Sequence, residues 1–331
     1  MMKINWGILG CAGIAEKAFI PAIQESGNGI LYGIASRDSK RAWDWALGFG
    51  FRKSYHNYQA LLEDREIDAI YVPLPNNLHA EWAARAAEAG KHVLCEKPMA
   101  LNAEEVRQMA KAAKKAGVLL MEGFMYRFHP QIERALEIIR AKEIGEVRTV
   151  HSSFTFNRAF GDTNYRLSPE MGGGALYDVG CYTISLARLV FGEEPQSVFA
   201  RARMDPRTGV DLTGSALLEF TRGRAAHCDW SFESHFQSRL LAVGSEGSVV
   251  LDRAFSGKDS DVEVRIAKGD RTITDRIPRV NMFARMIEHF GDCIFKRTPL
   301  RYPPEDAEKN MRAIDACFKS LKTGHPAQVL R

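Results

Sequence analysis

The chain has 331 residues, of which 45% are hydrophobic and 26% charged, a balance that suits a packed globular protein and excludes a disordered tail or a fibre. At roughly 100–200 residues per domain, two domains are expected. The net charge of +4 is mild and not gathered into runs, so it suits an anionic small ligand and argues against nucleic acid as a partner. No apolar stretch is long enough to cross a bilayer, and the opening MMKINWGILGCAG lacks the pattern of a secretory signal. Six scattered cysteines contain no C-x-x-C pair and read as free thiols of a reducing compartment, so a cytoplasmic protein without a membrane partner is expected.

The first part of the chain alternates short apolar strands with helix patterns. Ile4–Leu9 reads as a strand, followed by a helix over Ala15–Gln24 with Ala18, Phe19, Ala22 and Ile23 at helical spacing. Strand Ile30–Ala35, a helix over Ser39–Gly48, strand Ala69–Pro73 and a helix over Ala80–Ala89 ended by Gly90 come next. Strand Lys91–Cys95 precedes a helix that Asn102 and Glu105 open as a capping box and Gly117 closes, and Val118–Glu122 is one more strand. Such alternation predicts a parallel sheet wound by helices on both faces, an N-terminal Rossmann domain over residues 1–123.

From about residue 147 the rhythm changes. Strand patterns follow one another over Val147–Phe156, Ser197–Arg203, Leu212–Phe220, Arg224–Phe232, Arg239–Val243, Ser248–Leu251, Asp261–Ile266 and Arg271–Ile277. Turns such as Arg222-Gly223 and Glu246-Gly247 join them, which predicts an open, mostly antiparallel sheet in an α+β domain over residues 124–331, closed by helices near Asn281–Phe295 and Pro304–Lys322. In the strand from Arg224, Ala226, Cys228, Trp230 and Phe232 fall on one face and His227, Asp229, Glu233 and His235 on the other. A solvated or subunit-contacting face accounts for those polar residues, and no metal site is expected. A sheet with one face uncovered by helices predicts a homodimer or homotetramer joined through it.

Four stretches carry chemistry. Gly10-Cys11-Ala12-Gly13-Ile14-Ala15 approximates the dinucleotide fingerprint G-x-G-x-x-A, in which small residues let backbone amides and a helix N-terminus approach a pyrophosphate. Ala12 departs from the strict pattern. At the end of the second strand, where an NAD site places a carboxylate for the ribose 2′-hydroxyl, stands Ser36, with Arg37 and Arg41 able to meet a 2′-phosphate. This favours NADP(H), although a shifted register would make Asp38 the ribose ligand. Cys95-Glu96-Lys97-Pro98 lies at the carboxyl end of a strand, where open α/β sheets place ligands, and the Lys-Pro step can adopt a cis peptide. In Met171–Tyr182, three glycines open a helix-like stretch, and Asp178 and Tyr182, four apart, fall on one face as a carboxylate beside a phenol. That spacing serves a proton relay or a structural hydrogen bond.

Together with Glu122-Gly123-Phe124-Met125-Tyr126-Arg127-Phe128-His129-Pro130, these motifs in this order resemble the glucose–fructose oxidoreductase / inositol dehydrogenase (Gfo/Idh/MocA) family along almost the whole chain. The tyrosine at 182 is similar to the branch with NADP-dependent xylose dehydrogenases, dihydrodiol dehydrogenases and sugar ketoreductases. The resemblance implies that Lys97, Asp178 and Tyr182 form the catalytic group of an enzyme moving a hydride between NADP(H) and a sugar, either aldose oxidation at C1 or reduction of a ketosugar. A free tyrosine, with a pKa of about 10, is a poor base at neutral pH, and the Lys97 cation would favour its phenolate. Pro73, Leu74, Asn76, His79 and Glu96 are then expected to line the cofactor with Lys97, and Arg127, His129, Asn157 and Tyr165 the sugar pocket. A nucleotide-sugar ketoreductase is the alternative among enzymes, and a non-catalytic NADP-sensing regulator on the same fold is the alternative outside them.

Overall fold

A computed structural model describes residues 3–257 and 259–330. The chain divides into two compact units, one made of the residues up to Met125 with Met282–Glu308, the other of Tyr126–Asn281 with the segment from Lys309 on.

In the first unit, strands β1 (Ile4–Leu9), β2 (Gly29–Ala35), β3 (Lys53–Tyr55), β4 (Ala69–Val72), β5 (His92–Cys95) and β6 (Leu120–Glu122) form a six-stranded sheet in the order β3-β2-β1-β4-β5-β6. Its pairings are parallel. Both faces are covered by helices, so the central strands are continuously apolar; β4 is buried at every position. The strand order reverses between β1 and β4, which puts the crevice for a dinucleotide at the carboxyl ends of those strands. The helices are α1 (Ile20–Glu25), entered through a wide π turn at Ala15–Phe19, α2 (Ser39–Phe49), α3 (Tyr58–Leu62), α4 (His79–Glu88) and α5 (Ala103–Ala116). The expected capping box holds α5, with Asn102 Oδ1 accepting from the Glu105 amide at 2.9 Å and Glu105 Oε2 from the Leu101 amide at 2.9 Å.

One element departs from the expected division at residue 123. The helix Met282–Lys296, assigned by sequence to the second domain, packs on the Rossmann unit. Its apolar face carries Phe290 to within 5.7 Å of the Trp6 ring, while Glu288 accepts from the Gly27 amide at 3.0 Å through its side chain and from Asn28 Nδ2 at 2.9 Å through its carbonyl. Burial of that face, rather than neighbourhood in sequence, decides where the helix belongs.

The second unit holds α6 (Pro130–Arg140), β7 (Val147–Asn157), α7 (Cys181–Phe191), β8 (Ser197–Met204), β9 (Asp211–Glu219), β10 (Ala225–Ser231), β11 (Glu233–Gly244), β12 (Ser248–Leu251), β13 (Val262–Lys268), β14 (Arg271–Ile277) and the short β15 (Ala327–Gln328). They form a nine-stranded sheet ordered β14-β13-β12-β11-β7-β10-β9-β8-β15. The sheet is antiparallel as expected, apart from the parallel pairing of β7 with β10. One face takes Val150, Ala226, Cys228, Trp230 and Leu240 into a core shared with α7. Across the other face the register aligns Phe199, Leu217, His227, His151, Leu241, Val250 and Arg265 in one cross-strand row. The His151 and His227 rings stack there at 4.8 Å. Of the other polar residues of this face, Asp229 accepts from Ser153 Oγ at 3.1 Å and Glu233 pairs with Arg203. Among the described residues no helix is long and apolar enough to cross a membrane.

Candidate active site

The fingerprint turn follows β1 directly. Gly10 has φ +87°, a conformation that L side chains rarely adopt, and its amide donates to the Ala35 carbonyl at 2.8 Å, so the turn is tied to the end of β2. Ala12 opens the helix by accepting from the Glu16 amide at 3.1 Å. Gly13 and Ile14 are exposed and a Cβ at Gly13 would meet nothing within 4 Å, whereas Ala15 is buried. The surface at this helix start is therefore open beside Gly13 and Ile14, as the approach of a pyrophosphate requires.

The residues expected to select the cofactor lie near this turn, Arg41 donating to the Cys11 carbonyl. Ser36 is buried, and Arg37 and Arg41 are exposed. Arg37 lies against the Tyr58 phenol; burial pushes that phenol up and the Arg37 charge partly offsets it. Asp38 caps α2, its Oδ1 accepting from the Arg41 amide at 3.1 Å and its own amide donating to Ser36 Oγ at 3.1 Å. One oxygen of the carboxylate is thereby engaged at the helix start.

Around Lys97 the loops are locked. The Lys97-Pro98 peptide is cis. Glu96 is buried and accepts from the Tyr71 hydroxyl at 2.6 Å and from the Lys97 amide at 3.2 Å, while Glu122 accepts from the Met99 amide at 2.8 Å. Pro73, Leu74 and Asn76 form the buried loop after β4. His79, expected to line the cofactor, is instead wholly buried, its ring nitrogens 2.9 Å from the Pro98 carbonyl and 2.8 Å from the Leu74 carbonyl. Burial outweighs those two contacts and holds its pKa down to about 4, so the imidazole is neutral and donates its one N–H to either the Pro98 or the Leu74 carbonyl, according to its tautomer.

In the second unit, Asp178 sits inside a π turn, Leu176–Gly180, that leads into α7, and Tyr182 lies in the first turn of α7. Four residues make slightly more than one α turn and slightly less than one π turn, so the two side chains stay on one side of the helix. The Tyr182 ring is buried among Tyr126, Phe154 and Phe255, with centroids at 5.7, 5.3 and 5.4 Å. The helix start is anchored by Asp211, whose Oδ2 accepts from the Leu176 amide at 2.7 Å and Trp230 Nε1 at 2.8 Å. Gly174, at φ +107°, leaves room for that carboxylate, since a Cβ there would collide with Asp211 Oδ1. Burial raises Asp211 to about 6 against these hydrogen bonds.

Sequence reasoning missed Arg166. Its Nε donates to Asp178 Oδ2 at 2.7 Å, and its guanidinium lies over the Tyr165 ring at 4.7 Å and the Phe160 ring at 5.6 Å. Burial works against its charge, but Asp178, Tyr165 and Tyr182 together outweigh that and hold the proton more firmly. The Arg166 carbonyl accepts from the Gly174 amide at 2.9 Å, and a Cβ at Gly173 would come within 2.6 Å of that oxygen, so the glycines let this loop close on the helix start. No spacing rule links a loop arginine to a helix twelve residues on; only its place next to Tyr165 pointed there.

The proposed sugar-pocket residues separate. Tyr165 is half-buried beneath Arg166, and Asn157 is exposed at the end of β7. Arg127 and His129, expected to line the sugar pocket, are both buried. Arg127 is 2% exposed and donates from Nη2 to Ser185 Oγ at 2.7 Å, and His129 is wholly buried and caps α6 by accepting from the Gln131 amide at 3.2 Å.

A parallel sheet with a dinucleotide turn, a lysine at a strand's carboxyl end and a buried carboxylate–phenol pair define a nucleotide-dependent oxidoreductase architecture. The chain belongs to the Gfo/Idh/MocA oxidoreductase family: the model of its NAD-binding Rossmann fold matches residues 4–124, and that of a Gfo/Idh/MocA C-terminal domain matches residues 132–250. Among relatives, it is 39% identical to a D-xylose 1-dehydrogenase (NADP(+)) of Haloferax volcanii, over 96% of this chain and 98% of the relative. Among solved structures, it is similar to a 3-ketoreductase from Actinomadura kijaniata in complex with NADP and TDP-benzene, at TM-score 0.91 and 33% identity, covering 96% of this chain and 98% of the other. It is also similar to an aldose-aldose oxidoreductase from Caulobacter crescentus, at TM-score 0.91 and 30% identity, covering 98% and 99%.

Proposed function

We propose that this protein is an NADP(H)-dependent sugar oxidoreductase in which Tyr182 exchanges the proton, assisted by Lys97 and Asp178. The observation that carries the reading is the pair of Asp178 and Tyr182 on one side of a buried helix start, in a chain of this family that also keeps the Lys97-Pro98 step. Gly10, Cys11, Ala12, Gly13, Ile14 and Ala15 would receive the pyrophosphate, and Ser36, Arg37 and Arg41 the 2′-phosphate. When bound, the nicotinamide accepts or supplies the hydride. The Tyr182 oxygen takes the hydroxyl proton of the sugar in oxidation and returns it to the carbonyl oxygen in reduction. The Lys97 cation lowers the phenol's pKa, and Asp178 orients the hydroxyl.

The 39% identity to an NADP-dependent xylose dehydrogenase supports a free aldose as substrate, and the likeness to a ketoreductase crystallised with TDP-benzene supports a nucleotide-linked ketosugar. A screen of free aldoses with NADP+ against nucleotide-linked ketosugars with NADPH, followed by absorbance of the reduced nicotinamide, decides between them. No turnover with either class would overturn the enzymatic reading and leave a sensor of NADP.

The cross-strand row from Phe199 to Arg265 is mixed and partly apolar, and it supports a homodimer or homotetramer joined through the open face of the sheet. A single-chain mass by light scattering at micromolar concentration counts against it. The six cysteines, none of them in a disulfide, suit the cytoplasm.

A further inference from the structure

We propose that Arg166 is a positioning residue for the proton transfer at Tyr182, holding the Asp178 carboxylate by an ion pair and setting the charge that the phenol faces. This rests on the reading of Tyr182 as the proton carrier and extends it to a residue outside the family motifs quoted above. The geometry is specific. The 2.7 Å bond fixes one Asp178 oxygen, Asp178 is itself buried, and the guanidinium is clamped over two aromatic rings, so the cation has little freedom to leave. Arg166 bonds to Asp178 and lies close enough to Tyr182 for their charges to interact.

Besides the Lys97 cation of the proposed function, the second unit brings the following charged and titratable groups towards Tyr182. From its own helix come Asp178 and, further along, Arg188, which is paired with Glu194 at 2.5 Å. Tyr126 and Arg127 both bond to Ser185, one turn beyond Tyr182. The turn Tyr165–Leu167 brings Tyr165 and Arg166. β7 offers Phe154, the loop after β12 offers Phe255, and β10 packs Trp230 and the neutral thiol of Cys228 against the helix. Within this unit Asp178 is the carboxylate placed on the same side of the helix start as the phenol, and Arg166 is bonded to it. Without the guanidinium, the carboxylate would act on the phenol as an uncompensated like charge and disfavour the phenolate. The ion pair therefore lets an aspartate stand beside a tyrosine that must ionise.

The test titrates Tyr182 directly, by the ultraviolet absorbance of phenolate, as the difference between each protein and the same protein carrying Y182F. Arg166→Gln should raise the Tyr182 midpoint by about one pH unit or more, while Arg166→Lys, which keeps the charge, should leave it near wild type. Asp178→Asn carries the same test in the opposite direction, with a lowered midpoint, should Arg166→Gln not fold. Equal midpoints in wild type and Arg166→Gln, equal displacement in Gln and Lys variants, or a Tyr182 that ionises only on global alkaline unfolding in all of them would overturn the proposal. The outcome is independent of turnover. A displaced midpoint together with wild-type activity in Y182F leaves Arg166 in its role on the phenol and removes the acid/base reading of Tyr182.

Discussion

The guanidinium of Arg41 donates from Nη2 to the carbonyl oxygen of Cys11 at 2.8 Å, so the helix after β2 is bound to the dinucleotide turn after β1. A side chain chosen in sequence for its charge is therefore also a strut for the loop that would cradle the pyrophosphate. This makes the cofactor prediction sharper than charge counting. Arg41→Ala should weaken NADP(H) by about tenfold or more, the size of one charge-assisted hydrogen bond, and weaken NAD(H) less. Ser36→Asp with Arg37 neutralised should reverse the preference by restoring a ribose acceptor and repelling the phosphate. Fluorescence titration of both cofactors, repeated at high salt where the wild-type preference should shrink, checks each statement. Wild-type preference for NAD(H) would contradict the assignment of this loop.

Tyr182→Phe keeps the ring among Tyr126, Phe154 and Phe255 and removes only the hydroxyl. Turnover should fall by roughly 10²–10⁴, the range for a lost general acid/base, with cofactor affinity unchanged. Steady-state kinetics on the sugar returned by the substrate screen measure it, and turnover within a few-fold of wild type would sink the role.

The parallel sheet was legible because each of its strands but one is a mainly apolar run next to a glycine, a proline or a cap. The exception, β3, has three residues and no buried position, so neither periodicity nor hydrophobicity marks it. Helix α6 was missed although Pro130 stands at its first position and His129 caps it. The chemistry of Asp178 and Tyr182 was legible as a spacing, but the π turn that carries Asp178 was not, since its widening depends on Asp211 and the Arg166 loop, both remote in sequence. The return of the helix Met282–Lys296 to the first unit was equally hidden, because an amphipathic pattern says that a face is buried but not against what.

His79 gives the first unit a pH dependence of known sign. The ring is neutral in the fold, with its pKa held at about 4 against 6.5 when free, so the unfolded chain binds the extra proton between those values. Its contribution is present above pH 6.5 and is lost as pH falls towards 4, about 3 kcal/mol in all if the whole shift is realised. His79→Ala should destabilise by about 2–4 kcal/mol at neutral pH through a cavity and one carbonyl left without its donor, and the gap to wild type should narrow in acid. Thermal melts of the two proteins between neutral and acid pH give the answer; a constant gap would mean that His79 titrates normally.

Asp211 gives the second unit the opposite slope. Burial raises its folded pKa to about 6 from 3.8, so here the native state binds the extra proton between the two values. Stability from this group is highest below pH 3.8 and is lost as pH rises through 6, because the anion must then be held in the core. Over that window the loss is about 3 kcal/mol as an upper bound. Asp211→Asn keeps a carbonyl oxygen for the Leu176 amide and Trp230 Nε1, and it carries no charge at any pH. The variant should therefore gain on wild type as pH climbs from mildly acid to neutral, the reverse of what His79→Ala does. Denaturant unfolding of both proteins across that range, read by the fluorescence of Trp230 and its fellow tryptophans, follows the difference. A variant that falls further behind wild type as pH rises would show that the ionised carboxylate stabilises the helix start by more than its burial costs, and the sign argued here would be wrong.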